Sequence, residues 1–290
     1  MPLDNFLTQL LNGLVTSMLL FVLAAGLSLI FGLMDVINLT HGAFYLLGGY
    51  IGLAMVRQFD SFWLALLLAP VAVGALGLMI EFFFLRRLYG RGRHLEQVLL
   101  TFGVALIIID LTRATWGAYV EAVPSPALLA GQVTVFNLRF PIYRLSLIAF
   151  GLALALLLWL LIGRTRLGAI VRAGVSDAQM VSGLGIDVHA VFAGVFGFGV
   201  ALAALAGVVG APVFSLYPGL DSEILILALA VVVVGGLGTL KGAFFGSLLI
   251  GLADTFGKAF LPEFSRFLLF AVMAVVLLIR PWGLFGQKGS

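Results

Sequence analysis

Four polar side chains, Asp35, Asn38, Thr40 and His41, fall within seven residues, and Gly42 follows them directly. A carboxylate, an amide, a hydroxyl and an imidazole so placed can hydrogen-bond a polar solute or cap a helix. They have no metal-ligand spacing, because the other two histidines, His94 and His189, sit alone in or beside basic stretches. A second unusual run is Gly235-Gly236-Leu237-Gly238-Thr239-Leu240-Lys241-Gly242. It has the look of a phosphate loop but fails the requirement of Gly-x-x-x-x-Gly-Lys followed by Ser or Thr, since Lys241 lies between Leu240 and Gly242. Asp110 and Asp254 are isolated acids at or near the ends of apolar stretches, either placed at the membrane interface, the favoured reading, or buried as the coupling groups of a proton-coupled carrier. No Gly-x-Ser-x-Gly or His-Glu-x-x-His pattern occurs, and the absence of cysteine removes disulfides, thiolate metal sites and thiol nucleophiles.

The segments that must position these groups are overwhelmingly apolar. Hydrophobic residues make up 62% of the chain and charged residues 10%, against roughly 25% charged in an ordinary globular domain. Residues 5–34 and 190–220 contain no charged side chain, and each run exceeds the roughly 20 residues a helix needs to cross a bilayer. The solvent of this protein is lipid. Nine apolar spans are expected, at about 9–33, 40–56, 62–85, 95–112, 143–163, 189–212, 222–236, 241–259 and 264–280. The expected fold is an all-α integral membrane protein, a polytopic bundle of about eight to ten transmembrane helices with broken or re-entrant segments. A single transmembrane domain over residues 1–290 is expected, because no connection is long enough for a separate soluble unit.

Arginines orient the bundle. Arg86, Arg87, Arg91 and Arg93 lie in one connection, and Arg164, Arg166 and Arg172 in another; both read as cytoplasmic. The connection 113–142 between them then lies outside, the C-terminus inside and the N-terminus outside. The formal charge of +3 and pI near 9.4 reflect this retention of basic residues and not nucleic-acid binding. With no Lys or Arg before Arg57, no cleavable secretory signal is read.

The 36 glycines suggest close helix packing, with seams at Gly48-Gly49-Tyr50-Ile51-Gly52 and Gly194 to Gly199; a hinge or solute-facing groove is the other reading. Gly42-Ala43-Phe44 recurs as Gly242-Ala243-Phe244, each opening an apolar run after an irregular break. Transporters often carry such duplicated, broken helices at the solute site. For each break two readings stand. Residues 35–42 form either a short cytoplasmic turn, with Asn38 or Thr40 as N-cap, or a segment dipped into the membrane beside a solute path. Residues 235–242 form either a tight turn or a bend whose free backbone groups meet a zwitterion. Glu81 is expected to pair with the basic end at Arg86-Arg87. Residues 164–188 permit two short amphipathic helices ended by Gly183 and Gly185, either a docking element for a soluble partner or a plain linker.

At this segment Arg172-Ala173, Asp177, Met180 and Gly183-Leu184-Gly185-Ile186 resemble the cytoplasmic coupling loop of branched-chain amino acid ABC transporter permeases. The early Gly26-to-Gly42 run, with Ile37-Asn38 and His41-Gly42, and the late Val234-Gly235-Gly236-Leu237-Gly238-Thr239 with Gly242 resemble that family too. The likeness spans nearly the whole chain, with the motifs in order, and fits the subunit type carrying the His-Gly element. The family's coupling loop often has Glu-Asp where this chain has Ser176-Asp177. The resemblance implies a subunit of a bacterial inner-membrane importer that is not itself an enzyme and needs no cofactor or metal. Its implied partners are a second, identical or different permease subunit, two cytoplasmic ABC ATPases, a periplasmic substrate-binding protein and the lipid bilayer. Asn38, Thr40, His41, Gly42, Gly235, Gly236, Gly238 and Thr239 would lie beside the translocation path. Arg172, Ala173, Asp177, Met180, Gly183 and Gly185 would transmit ATPase motion. The implied cargo is leucine, isoleucine or valine, with related solutes as alternatives. The competing class is an ion-coupled secondary transporter using Asp110 and Asp254.

Overall fold

The computed structural model describes residues 3–89, 93–135, 138–176 and 178–286. Its helices are α1 (Leu3–Met34), α2 (His41–Phe59), α3 (Phe62–Phe83), α4 (His94–Trp116), α5 (Ile142–Arg164), α6 (Arg166–Ser176), α7 (Ala178–Gly183), α8 (Val188–Phe214), α9 (Leu220–Gly235), α10 (Leu240–Phe260) and α11 (Ser265–Ile279). One antiparallel hairpin, β1 (Gln132–Val135) and β2 (Leu138–Pro141), interrupts the long connection between α4 and α5, with Val133 opposite Phe140. In lipid every backbone polar group needs an internal partner, which is why the apolar runs fold as helices.

Among the described residues, seven elements are long and apolar enough to cross a membrane: α1, α3, α4, α5, α8, α10, and α11 with the turn before it. The two remaining apolar runs, 40–56 and 222–236, become α2 and α9 and are not among the seven. The 16 residues of α9 extend about 24 Å, short of a roughly 30 Å hydrocarbon core. Along α2, His41, Tyr45, Tyr50, Arg57 and Gln58 dilute the hydropathy, and its first half is almost wholly buried. The first half of α2 and most of α9 are buried within the bundle, while Phe59 and Ile226 remain exposed.

The centre is α1, whose apolar stretch is 83% buried, whereas that of α5 is 22% and that of α11 only 6%. Small residues bring α1, α2 and α8 together. A side chain at Gly207 would stand 1.9 Å from the Tyr45 carbonyl, one at Gly48 2.4 Å from the Ala204 backbone, and one at Gly26 2.4 Å from the Gly199 carbonyl. Apolar packing between membrane helices gains nothing from expelling water, so such approach is the main source of cohesion. The glycine seams thus serve packing, with one exception. Gly194 has open space around it and lines an apolar cleft between α5, α6 and α8.

Candidate functional site

The first break is dipped. Asp35 ends α1 in a left-handed conformation (φ 52°), and its carboxylate lies 3.7 Å from His94 at the start of α4. From there the chain turns back into the bundle. The Leu39 amide donates to Thr101 Oγ1 (3.3 Å), and the Thr40 hydroxyl donates to the Thr101 carbonyl (2.7 Å). Thr101 lies seven residues into α4, about 10 Å along the helix axis. His41 Nε2 is 3.0 Å from the Leu23 carbonyl, eleven residues before the end of α1, or about 16 Å along it. A carbonyl only accepts, so Nε2 carries the proton. Helix α2 therefore begins at membrane depth. Thr40 occupies its N-cap position without a side-chain cap bond, because its hydroxyl is committed to α4. The Asn38 side-chain oxygen, Oδ1, accepts from the Thr40 amide at 3.1 Å. Asn38, Thr40 and His41 are all fully buried, and Asn38 Nδ2 and His41 Nδ1 have no hydrogen-bond partner among the described residues.

The second break is a tight turn and not a free bend. Gly236 and Gly238 adopt φ of 106° and 75°, which a side chain would strain. The Thr239 hydroxyl donates to the Gly236 carbonyl (3.0 Å) and accepts from the Gly242 amide (3.2 Å), capping α10. Amides from residues beyond α11 occupy the end of α9: Leu284 donates to the Val234 carbonyl (2.8 Å) and Phe285 to that of Gly235 (2.9 Å). Ser28 Oγ on α1 donates to the Thr239 carbonyl (3.2 Å). Each of these carbonyls accepts a hydrogen bond from within the protein.

The repeated Gly-Ala-Phe triplet has a common structural role. A side chain at Gly42 would lie 2.3 Å from the Asp221 carbonyl at the start of α9, and one at Gly242 2.4 Å from the Gly235 carbonyl at its end. Two broken helices thus lean on opposite ends of α9 through their first glycine, and both breaks are bonded to α1. The structure brings Asn38, Thr40, His41 and Gly42 into one buried cluster. Gly235, Gly236, Gly238 and Thr239 form another, separated from it by the length of α9.

At the arginine-rich end, α6 and α7 form the expected helix pair. Arg172 and Ala173 are exposed, and Gly174 packs against Leu33 near the end of α1, where a side chain would meet Leu33 Cδ1 at 2.8 Å. Met180 is 63% and Leu184 76% exposed, while Val181 is buried. Gly183 ends α7, Gly185 turns the chain with φ 82°, and the Asp187 carboxylate then caps α8 by accepting from the amides of His189 (2.9 Å) and Ala190 (3.2 Å). Asp177 lies outside the described residues.

Glu81 departs from expectation. It is fully buried and accepts from the Tyr89 hydroxyl at 2.6 Å instead of pairing with Arg86 or Arg87. Burial first, and the Glu81 carboxylate second, push the Tyr89 phenol above its ordinary pKa, so it remains a donor. The Tyr89 ring packs edge-on against Phe192, with centroids 5.3 Å apart, tying this basic connection to the start of α8. Sequence spacing gave no signal for the pair, because a neighbouring arginine cluster is the more obvious partner for an acid. The two supposed coupling acids are not isolated. Asp110 is exposed beside Arg113 at 3.9 Å, and Asp254 accepts from Lys258 Nζ at 2.7 Å.

A multi-pass α-helical bundle with helices broken at membrane depth is the architecture of solute-conducting membrane proteins. Residues 9–277 match the family described as the permease component of branched-chain amino acid transport systems, and the chain belongs to that family. It is a multi-pass inner-membrane transporter subunit and not a catalytic enzyme. The chain is 31% identical to the high-affinity branched-chain amino acid transport system permease protein BraD of Pseudomonas aeruginosa, over 98% of this chain and 96% of the relative. It is 28% identical to the LivH permease protein of Escherichia coli K12, over 97% and 96% of the two chains. The LivM permease protein of the same organism is 26% identical, over 92% of this chain and 68% of that one.

Proposed function

We propose that this chain forms half of the membrane conduit of an ATP-driven importer for branched-chain or related apolar amino acids. A second permease subunit completes the conduit; similarity to both LivH and LivM supports a different chain in that position. Two cytoplasmic ATPases bind the inner face of the permease pair, one of them docking on α6 and α7 of this chain, and a periplasmic binding protein delivers the solute. The dipped cluster at Asn38–Gly42 and the turn at Gly235–Thr239 act as fulcra beside the path. Arg172, Ala173, Asp177, Met180, Gly183 and Gly185 belong to the coupling element.

The observation that carries this reading is the form of the helix pair. It presents Met180 and Leu184 to water on the arginine-rich side and is anchored through Gly174 to α1 and through Asp187 to α8. Force applied there reaches the two helices that organise the bundle. The pairing of Asp110 and Asp254 with neighbouring bases weighs against ion coupling through either acid.

The test is the double variant Met180→Asp with Leu184→Asp. Loss of two apolar anchors at an interface centre, together about 2 kcal/mol or more, should weaken ATPase association at least about 30-fold. The thermal stability of the isolated permease should stay unchanged, because both side chains face water. Unchanged ATPase association in pull-down would remove the docking assignment.

A further inference from the structure

Near the arginine-rich end of the bundle, beside the second break, α1, α5 and α10 frame a cleft of about 200 Å³. Phe21 enters from α1, Ala155 and Trp159 from α5, and Leu240, Lys241, Phe244 and Phe245 from the start of α10. Lys241 is the single charged residue of this lining, and every other member is aliphatic or aromatic. The Phe244 ring meets Phe21 edge-on at 5.3 Å and Phe245 at 5.5 Å, which gives the cleft an aromatic floor.

A second cation stands at the rim. The Arg164 guanidinium lies 5.8 Å from the Trp159 ring centroid. Arg164 and Lys241 are both exposed, and among the described residues neither forms an ion pair. No carboxylate of the lining helices offsets them. Helix α5 has none. Asp4 on α1 lies seventeen residues before Phe21, about 25 Å toward the opposite face. Asp254 on α10 lies thirteen residues beyond Lys241, about 20 Å away, and is paired with Lys258. Asp35, just past the end of α1, faces His94.

Depth narrows the choice of occupant. Ser28 donates to the Thr239 carbonyl, so α10 begins level with Ser28, and Phe21 lies seven residues, about 10 Å, deeper along α1. The cleft therefore runs from two cations and a tryptophan at the membrane surface, where such side chains collect, down into the hydrocarbon layer. A free phosphate ion would leave the aromatic floor unfilled. A lipid without net charge would leave the two cations without a counter-charge. A helix of a partner protein, about 10 Å across, is too thick for this volume.

We infer that this cleft binds an anionic phospholipid of the cytoplasmic leaflet, with one acyl chain against Phe21, Ala155 and Phe244 and the headgroup phosphate between Lys241 and Arg164. A lipid held there links the end of α5 to the start of α10 beside the glycine turn. The assignment does not depend on which solute the chain conducts.

The experiment uses the full chain, delipidated in detergent, and native mass spectrometry to measure binding of dioleoylphosphatidylglycerol and of dioleoylphosphatidylcholine, which has the same acyl chains and no net charge. Wild type should bind the anionic lipid at least about tenfold more tightly, as expected for two basic side chains at an anionic surface. The double variant Lys241→Gln with Arg164→Gln should lose that preference and leave both phosphatidylcholine binding and the Tm of the lipid-free protein unchanged, since both side chains are exposed. Arg86→Gln with Arg87→Gln, a pair of cations elsewhere on the same face, should keep the preference. Glycerol 3-phosphate, a headgroup without acyl chains, should not displace the lipid. The site is overturned by the absence of a preference in wild type, by its survival in the Lys241–Arg164 variant, by an equal loss in the Arg86–Arg87 variant, which would reduce it to general attraction between a basic face and anionic lipid, or by displacement with glycerol 3-phosphate.

Discussion

The buried junction of α1, α2, α8 and α9 and the exposed pair α6–α7 are built on opposite plans. In the junction, backbone meets backbone. Side chains at Gly207, Gly42 and Gly235 would lie 1.9, 2.3 and 2.1 Å from carbonyl oxygens of neighbouring helices. In the helix pair, Gly183 and Gly185 have nothing within 4 Å, and Leu184 points an apolar side chain into water. The first region has no room for added volume at these glycines. The second has surface to offer and is joined to the first through Gly174. An importer driven by separate ATPases, as proposed above, would use this division as a stiff body and a handle that another protein can grip.

The comparison breaks most sharply at Gly207. Gly207→Ala puts a methyl group into the Tyr45 carbonyl and should destabilise the protein by about 3 kcal/mol or more, at the upper end of overpacking. Loss of the monodisperse peak in size-exclusion chromatography, or a large drop in Tm in detergent, would register it. A smaller effect is expected at Thr101→Val, which removes the hydroxyl that accepts from the Leu39 amide in the dipped segment. A lost buried hydrogen bond of this kind costs about 1 kcal/mol, and faster amide exchange at residues 39–41 is the readout. At Gly185, φ 82° makes Gly185→Ala unfavourable by about 1 kcal/mol, but locally. Coupling of ATP hydrolysis to transport should fall while Tm hardly moves, the reverse of the Gly207 result. Smallest is Gly103→Ala on α4, where nothing lies within 4 Å; helix propensity alone should raise stability by up to about 1 kcal/mol.

The same contrast explains what the sequence disclosed. Charge-free runs and arginine clusters act over tens of residues, so the helical membrane bundle was legible. So was the helix pair with its terminating glycines, because amphipathic spacing and Gly185 are local signals. Helices α2 and α9 were harder. Their hydropathy reads as two more spans, and only tertiary packing shows them to be interior supports. The dipped start of α2 could not be separated from a cytoplasmic turn, since Asn38 and Thr40 suit either. The difference is decided by Thr101 and Leu23, distant in sequence. Glu81 was misassigned for a related reason: burial turned a presumed partner of arginine into an acceptor for Tyr89. The Gly-Ala-Phe repeat was visible, but its common use of α9 was not.

In the importer proposed above, the driving force arrives through the cytoplasmic helix pair from a separate ATPase. The most direct measurement is accumulation of labelled leucine in proteoliposomes containing the permease pair, with the ATPases, binding protein and ATP added or withheld, under an imposed proton or sodium gradient. Accumulation should occur only when ATPases, binding protein and ATP are all present, and none from the gradient alone. Sustained accumulation by the permeases without ATPases would contradict it.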